Sequence, residues 1–534
     1  MNDMTLECHE GEWLVIVGRN GSGKSTLLKF LSALLIPERG VCRVFGLDTS
    51  LPENVAEIRS LVAMVFQNPE NQIVGVTVED DAAFALENQY IPTDEIERRV
   101  AFSIGKAGLL EKRKSSVHSL SGGEKQRLAL AGAIAQGAKM FLLDEATSML
   151  DSYGRDDILS LFMELHSEGH TIVQVTHNIE EVRFADRIVI IDNGRHIWSG
   201  GRKEFFMSAE SFGFDLPALA EFARKIGAED IADYKETRSK ALDLPRDDEK
   251  IMELKGLFET TPSLRATPPQ RGIIEVRNLS HVYSDGVSDR IALDNVSFCI
   301  ERGELVTLTG RTGSGKSTLI QYLNALYTIN DSEPHRGRTL SEPVIGEVLI
   351  DGQNININPR EARRKIGMVF QFPEHQLFAQ TVREELGFAL KNWGISDSEH
   401  EERILEAMKQ SGITESMIER SPFSLSGGEM RAVCIASALV TKPDWLILDE
   451  PVAGLDSRAK RELLSLLNEL KSSGVGILTV THDLEFALLN SDRILVLQEG
   501  KLVCDAVPEA AAQFLYESRA LKLPDIVNLW RELR

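Results

Sequence analysis

Two α/β modules in tandem, each a parallel sheet with a separate helical subdomain, are predicted by three observations. A glycine-rich stretch, GRNGSGKSTL at 18–27, returns as GRTGSGKSTL at 310–319 with only Asn20 replaced by Thr312. Short apolar runs that end in glycine, carboxylate or histidine recur in the same order in both halves. The spacing is nearly constant: Gln67 and Gln371 are 304 apart, while Ser121 and Ser426, Asp144 and Asp449, and His177 and His482 are each 305 apart.

Each element follows from its pattern. EWLVIVG and ELVTLTG are buried strands that feed helices beginning at Lys24 and Lys316. Gly18 and Gly310 are only 292 apart, so one insertion separates loop from glutamine. It is YTINDSEPHRGRTLSEPVIG (327–346), which is polar, rich in Pro, Gly and Ser, and reads as a surface loop. Between each glutamine and the following serine, DEIERRVAFSIGKAGL and SEHEERILEAMKQSGI have helical periodicity and form the predicted helical subdomain. KMFLLDE and WLILDE are strands ending in carboxylates; TIVQVTH and GILTVTH are strands ending in histidine. Open parallel sheets place ligands at the edge where such strand ends line up. The expected domains are residues 1–228 and 272–534. The linker between them, 229–271, holds a charged helix or two and then the Pro- and Thr-rich TTPSLRATPPQRG.

Bulk properties narrow the function. A chain of 534 residues exceeds a single core. A net charge of −22 weighs against broad nucleic-acid binding, which needs Lys and Arg to neutralise phosphates. The five cysteines are scattered with no C-x-x-C pair, unlike a disulfide framework or a zinc site, and fit a reducing cytoplasm. No stretch approaches the ~20 apolar residues that span a bilayer. The start, MNDMTLECHEGEW, lacks the form of a signal peptide.

The chemistry is that of nucleoside triphosphates. The loop Gly18-Arg19-Asn20-Gly21-Ser22-Gly23-Lys24-Ser25-Thr26 wraps backbone N–H groups around phosphates at a helix N-terminus. Its lysine supplies a point charge and Ser25 a hydroxyl for Mg²⁺. Gly310-Arg311-Thr312-Gly313-Ser314-Gly315-Lys316-Ser317-Thr318 repeats those roles. Asp144 and Asp449 are the expected Mg²⁺ carboxylates, and Glu145 and Glu450 are placed to polarise an attacking water. Gln67 and Gln371 are expected to touch both Mg²⁺ and that water, and His177 and His482 the γ-phosphate. Tyr283 either stacks on adenine or fills the core as a strand tyrosine. Ser121-Gly122-Gly123 and Ser426-Gly427-Gly428, each before a helix, form a second anion-binding helix start in each module. A module that already has one phosphate cradle offers the second to another nucleotide. Two modules set head to tail satisfy both, sharing two ATP sites within one chain.

Together these motifs resemble the nucleotide-binding domains of ATP-binding-cassette (ABC) proteins, over both halves. The resemblance implies two P-loop domains, each with a RecA-like core and a helical subdomain. More narrowly, FQNPENQIVGVTVEDDAAFALEN (66–88) and DEATSMLD (144–151) resemble the first ATPase of energy-coupling-factor (ECF) importers. FQFPEHQLFAQTVREELGFALKN (370–392), SGGEMR and DEPVAGLD (449–456) resemble the second. The tails FGFDLPALAEFARKI and ALKLPDIVNLWREL are also similar to that family's C-terminal segment. This implies an ATP-hydrolysing subunit on the cytoplasmic face of the cell membrane. Its partners would be a transmembrane coupling protein and small membrane-embedded proteins that capture a vitamin, a vitamin precursor or a transition-metal ion. A soluble tandem-cassette translation factor is the alternative, but such factors carry NHLD where Ser148-Met149-Leu150-Asp151 and Ala453-Gly454-Leu455-Asp456 stand.

Three departures from the family pattern carry expectations. Glu124 and Glu429 replace the more usual glutamine of the signature. Ala432 stands where a basic residue is usual, which weakens the hinge beside that signature. The first copy lacks a counterpart to residues 272–292, including the initial strand and adenine-stacking aromatic, which points to a start placed downstream of the true one.

Overall fold

The computed structural model describes residues 1, 4–148, 150–228, 230–231, 233–258, 272–284, 289–327 and 345–534. Two compact units divide at Asp243/Leu244. Each contains a six-stranded sheet of the same topology. In the first unit the strand order is Val62–Val65, Met140–Asp144, Thr171–Val175, Trp13–Val17, Arg187–Asp192, Arg195–Gly200. In the second it is Ile366–Val369, Trp445–Asp449, Gly476–Val480, Leu305–Thr309, Arg493–Gln498, Lys501–Ala506. The first five strands of each sheet are parallel, and the last is an antiparallel edge.

The sequence dictates this layout. The central strands are apolar throughout because both faces are covered. Trp13, Val15 and Val17 join Phe141, Leu143 and Ile172 in one cluster. Leu14 and Ile16 join Leu142, Val173 and Val175 in the opposite one. The edge strands instead alternate between exposed and half-buried positions. Helix Gly122–Gln136 starts at Ser121, whose side chain accepts from Glu124 N, and stops at Gly137 in the left-handed region, φ 78°. Helices Val78–Asn88 and Thr93–Lys106 form the helical subdomain around their own core, including Val78, Leu86, Ile104 and Leu128. The linker's charged stretch forms two helices, Tyr234–Asp243 in the first unit and Glu249–Phe258 in the second, where Phe258 packs on Trp530 with ring centroids 5.2 Å apart. Its Pro- and Thr-rich part and most of the 327–346 insertion lie outside the described residues. Ile345 and Gly346, read from sequence as the end of that loop, instead begin the strand Ile345–Ile350.

The units differ on one face. In the second, strands Ile273–Ser284, Asp289–Glu301 and Ile345–Ile350 form an antiparallel sheet that adds Ile274, Val276, Leu279, Val296, Phe298 and Ile300 to the core. In the first, residues 4–9 form no strand. Half-buried Met4, Leu6, Phe45 and Leu47 pack there instead, and Leu34, Ile36 and Val41 are exposed. Less apolar burial means a smaller barrier to local opening. Hydrogen exchange is therefore expected to show amide protection in Leu14–Val17 lower than in Leu305–Thr309 by about tenfold or more. Equal protection would contradict this account.

Candidate functional site

Each glycine-rich loop has its shape enforced by close backbone approach. A Cβ on Gly18 would lie 2.1 Å from Ile191 O, and one on Gly310 would lie 2.1 Å from Leu497 O. Gly23 and Gly315, at φ 102° and 104°, occupy left-handed conformations that launch helices Lys24–Leu31 and Lys316–Leu323. Lys24 Nζ donates to Gly18 O (2.8 Å) and Arg19 O (2.9 Å), and Lys316 Nζ to Gly310 O (2.7 Å) and Arg311 O (2.9 Å). The ammonium groups are thus held over the curved backbone. Ser22 Oγ and Ser314 Oγ are buried in the loops without a hydrogen-bond partner. Such orphaned groups suit a loop that closes around phosphate oxygens. Asn20, Gly21, Arg311, Thr312 and Gly313 lie at the loop surfaces, Ser25 and Ser317 are exposed at the helix starts, and Thr26 and Thr318 follow in the first turn.

The carboxylates stand beside these loops. Ser25 Oγ donates to Asp144 Oδ1 at 2.9 Å. Burial pushes the Asp144 carboxyl up; the Ser25 bond opposes this and the Glu145 charge adds to it. Asp449 is pushed up to about 7, first by burial and then by Glu450, with Lys316 pulling the other way. Adjacent carboxylates, with a serine hydroxyl on Asp144 in the first unit, form a hard oxygen donor set that fits Mg²⁺. No group of three or more His, Cys, Asp or Glu suited to a metal occurs among the described residues. The fit therefore rests on hydroxyl and carboxylate oxygens.

Glu145 and Glu450 have φ of 50° and 48°, a conformation that non-glycine residues rarely adopt. Backbone bonds pin both: Glu145 N donates to Val175 O (3.0 Å), and Glu450 N to Val480 O (2.7 Å). Strain held by surrounding structure is characteristic of functional residues. Around Glu145 both the predicted glutamine and the predicted histidine assemble, whereas beside Glu450 the predicted histidine is joined by a threonine. Gln67 Nε2 donates to Glu145 Oε2 (2.8 Å), and His177 Nε2 lies 2.8 Å from Glu145 Oε1. At the second site His482 Nδ1 lies 2.9 Å from Glu450 Oε1, and Thr481 Oγ1 donates to Glu450 Oε2 (3.0 Å). Burial pushes Glu450 up, yet the charge and hydrogen bond of His482, with Lys316 and Thr481, hold it below its ordinary range.

Gln371 contributes its carbonyl, which accepts from Arg431 at 3.1 Å. Arg431 also donates to Pro451 O (3.1 Å) and Ala453 O (2.6 Å), tying the loop after the glutamate to the glutamine segment. Sequence reasoning singled out Ala432 and missed Arg431. The signal was its position, since Gln126 occupies the equivalent place in the first unit and donates to Phe66 O (3.3 Å).

Ser121 and Ser426 cap their helices in reciprocal boxes with Glu124 and Glu429. Each glutamate accepts from the serine's own N–H (2.9 and 2.8 Å) and hydroxyl (3.0 and 2.8 Å). Glutamate in place of glutamine therefore fixes the serine, with Gly122, Gly123, Gly427 and Gly428 leading the helix. Tyr283, on the strand Ile273–Ser284, reaches the loop-bearing helix of the second unit. Its hydroxyl is 3.2 Å from Thr318 Oγ1, and its ring packs edge-on to His281 at 4.3 Å. Met149, within Ser148-Met149-Leu150-Asp151, lies outside the described residues.

The sequence pattern of the ABC transporter family matches residues 1–148 and 293–453. The chain belongs to that family. Its cassettes are thus those of an ATP-binding, ATP-hydrolysing family. A Methanosarcina acetivorans protein is 31% identical, covering 95% of this chain and 82% of its own. One from Caldanaerobacter subterraneus is also 31% identical, covering 99% and 92%. A third, from Bifidobacterium longum, is 35% identical over 93% of this chain, which spans 62% of that relative's length. All three are named as ABC transporter ATP-binding proteins, without a substrate. Among solved structures, CbiO1 from Clostridium perfringens, part of the ABC transporter complex CbiONQ, matches 48% of this chain and 98% of its own, at 32% identity and TM-score 0.40.

The cassette geometry yields a direct test. Removing the ammonium in Lys24→Ala or Lys316→Ala is expected to weaken ATP binding at the altered site by about tenfold or more. Titration with a fluorescent ATP analogue measures it, and unchanged affinity would remove the lysines from the cradle.

Proposed function

We propose that the chain is the ATP-binding subunit of an ECF-type importer, in which two cassettes pair head to tail and drive uptake of a vitamin, vitamin precursor or transition-metal ion. In this reading the glycine-rich loop of one cassette and the capped Ser121 or Ser426 helix of the other close over one ATP. Lys24 and Lys316 orient the outer phosphates. Glu145 and Glu450, held at fixed φ, take the proton of the attacking water, while Gln67, His177 and His482 keep them oriented. Ser25, Ser317, Asp144, Asp449 and the glutamines would hold Mg²⁺, which when bound neutralises phosphate charge. Cassette closing and reopening would be the step delivered to a membrane partner.

The observation that carries the importer reading is the apolar exposure beside each glutamine segment, where the family resemblance is narrowest. Val74, Val76 and Phe84 are exposed in the first unit. In the second, exposed Phe378 and Phe388 form an edge-on pair 4.7 Å apart. Apolar surface of this kind marks docking sites. Among the described residues no helix is long and apolar enough to cross a membrane. Membrane association therefore falls to partners in this proposal.

Two experiments test it. Tagged protein purified from gently solubilised native membranes is expected to bring down a polytopic coupling protein and small, very hydrophobic membrane proteins. Ribosomal proteins without a membrane partner would overturn the importer reading. Separately, the double variant Glu145→Gln/Glu450→Gln is expected to lose hydrolysis by about a hundredfold or more while retaining ATP binding. A fully active double variant would remove both glutamates from the base role.

A further inference from the structure

One buried acid stands behind the first ATP site and has no counterpart behind the second. Glu181 is 1% exposed, and three donors converge on its carboxylate. Thr147 Oγ1 donates to Oε1 (2.6 Å); Gln174 Nε2 (2.7 Å) and Thr176 Oγ1 (3.0 Å) donate to Oε2. Gln174 in turn accepts from Trp13 Nε1 at 3.0 Å. Thr147 is two residues beyond Glu145, and Thr176 immediately precedes His177. The carboxylate therefore cross-links the loop carrying the base to the strand end carrying the histidine.

The second cassette fills the same space with hydrocarbon. Strand register sets Trp13 against Leu305 and Gln174 against Thr479, and the constant spacing sets Thr147 against Val452 and Glu181 against Phe486. Leu305, Val452 and Phe486 lie in one buried cluster. Thr479 turns to Thr307 (2.6 Å), which reaches Ser491 (2.6 Å). With no buried acid to serve, Thr481 donates to the base Glu450 itself. In the first cassette the equivalent hydroxyl, on Thr176, goes to Glu181, and Glu145 takes the Gln67 amide instead.

We propose that Glu181 is a positioning residue of the first ATP site, setting the placement of Glu145 and His177 through Thr147 and Thr176, and that the two sites are consequently unequal in their dependence on it. The assignment rests on the ATPase reading above. Its energetics follow from burial: deleting the acceptor leaves two hydroxyls and an amide unsatisfied in a closed space, and they relax by moving the loops they belong to. Small displacements of a base cost rate more than they cost nucleotide affinity.

The test reads each site separately by single-turnover hydrolysis of prebound MgATP in the full chain. Glu450→Gln leaves a base only at the first site, and Glu145→Gln leaves one only at the second. In the Glu450→Gln chain, Glu181→Leu is expected to slow hydrolysis about tenfold or more, and Thr147→Val, which keeps the carboxylate, about threefold. ATP affinity should change by less than about twofold, and in the Glu145→Gln chain both substitutions should leave the rate within about twofold. An undiminished rate in the first chain, or equal losses in both, would overturn the assignment. Absence of hydrolysis in the unsubstituted chain would overturn the ATPase reading itself, and this assignment with it.

Discussion

Parallel pairing of neighbouring strands holds each site together. Val175 pairs with Ile16 on one side and Asp144 on the other, and Val480 pairs with Leu308 and Asp449 in the same way. The phosphate loop, the carboxylates and the histidine therefore leave the sheet side by side, although more than a hundred residues separate loop from carboxylate. Register is fixed because both faces are buried. A one-residue slip of Trp13–Val17 would move Leu14 and Ile16 out of one cluster and Trp13 and Val15 out of the other.

The same pairing makes the strained glutamates possible. At each strand end the chain must turn sharply after the aspartate, and the next residue adopts positive φ. Its N–H still reaches the neighbouring strand's last carbonyl, at Val175 or Val480. The sheet thus extends one bond beyond the last paired side chain. That bond offsets a backbone cost of roughly 1–3 kcal/mol and aims the glutamate across the strand ends. Lys24 and Lys316 are held in place in a related way, by carbonyls of their own loops.

Much of this was legible in the sequence, because repeats and apolar runs report strand order directly. The loop, its helix, the carboxylate strand and the histidine strand all stand where the spacing puts them. What escaped were properties that depend on tertiary neighbours. Nothing local distinguishes Glu181 from an ordinary helix-start acid; its surroundings include Trp13, distant in the chain, which is tied to it through Gln174. Arg431 reads as a surface cation until the carbonyls of Gln371, Pro451 and Ala453 surround it. The insertion's end at Ile345–Gly346 was misread because its partner, Ser280–Arg277, lies on a strand far upstream.

Comparison of the two copies shows where repetition of motif lettering stops being repetition of structure. The loop after the base is anchored in both cassettes, but by groups of opposite charge acting on opposite chemical partners. In the first, an acid gathers side-chain donors, Thr147 and Thr176. In the second, a guanidinium, its pKa lowered by burial, gathers backbone carbonyls at Pro451, Ala453 and Gln371. Arg431 brings the glutamine segment into the same network, whereas among the described residues Gln126 donates to Phe66 O. A side chain moved between the copies would meet groups of the wrong polarity: a carboxylate at Phe486 would face Leu305 and Val452, and an arginine at Gln126 would bring a charge where a neutral amide suffices. The anchoring sets have to change together, which is a physical reason for the two halves of one chain to remain distinct while the residues facing ATP stay nearly the same.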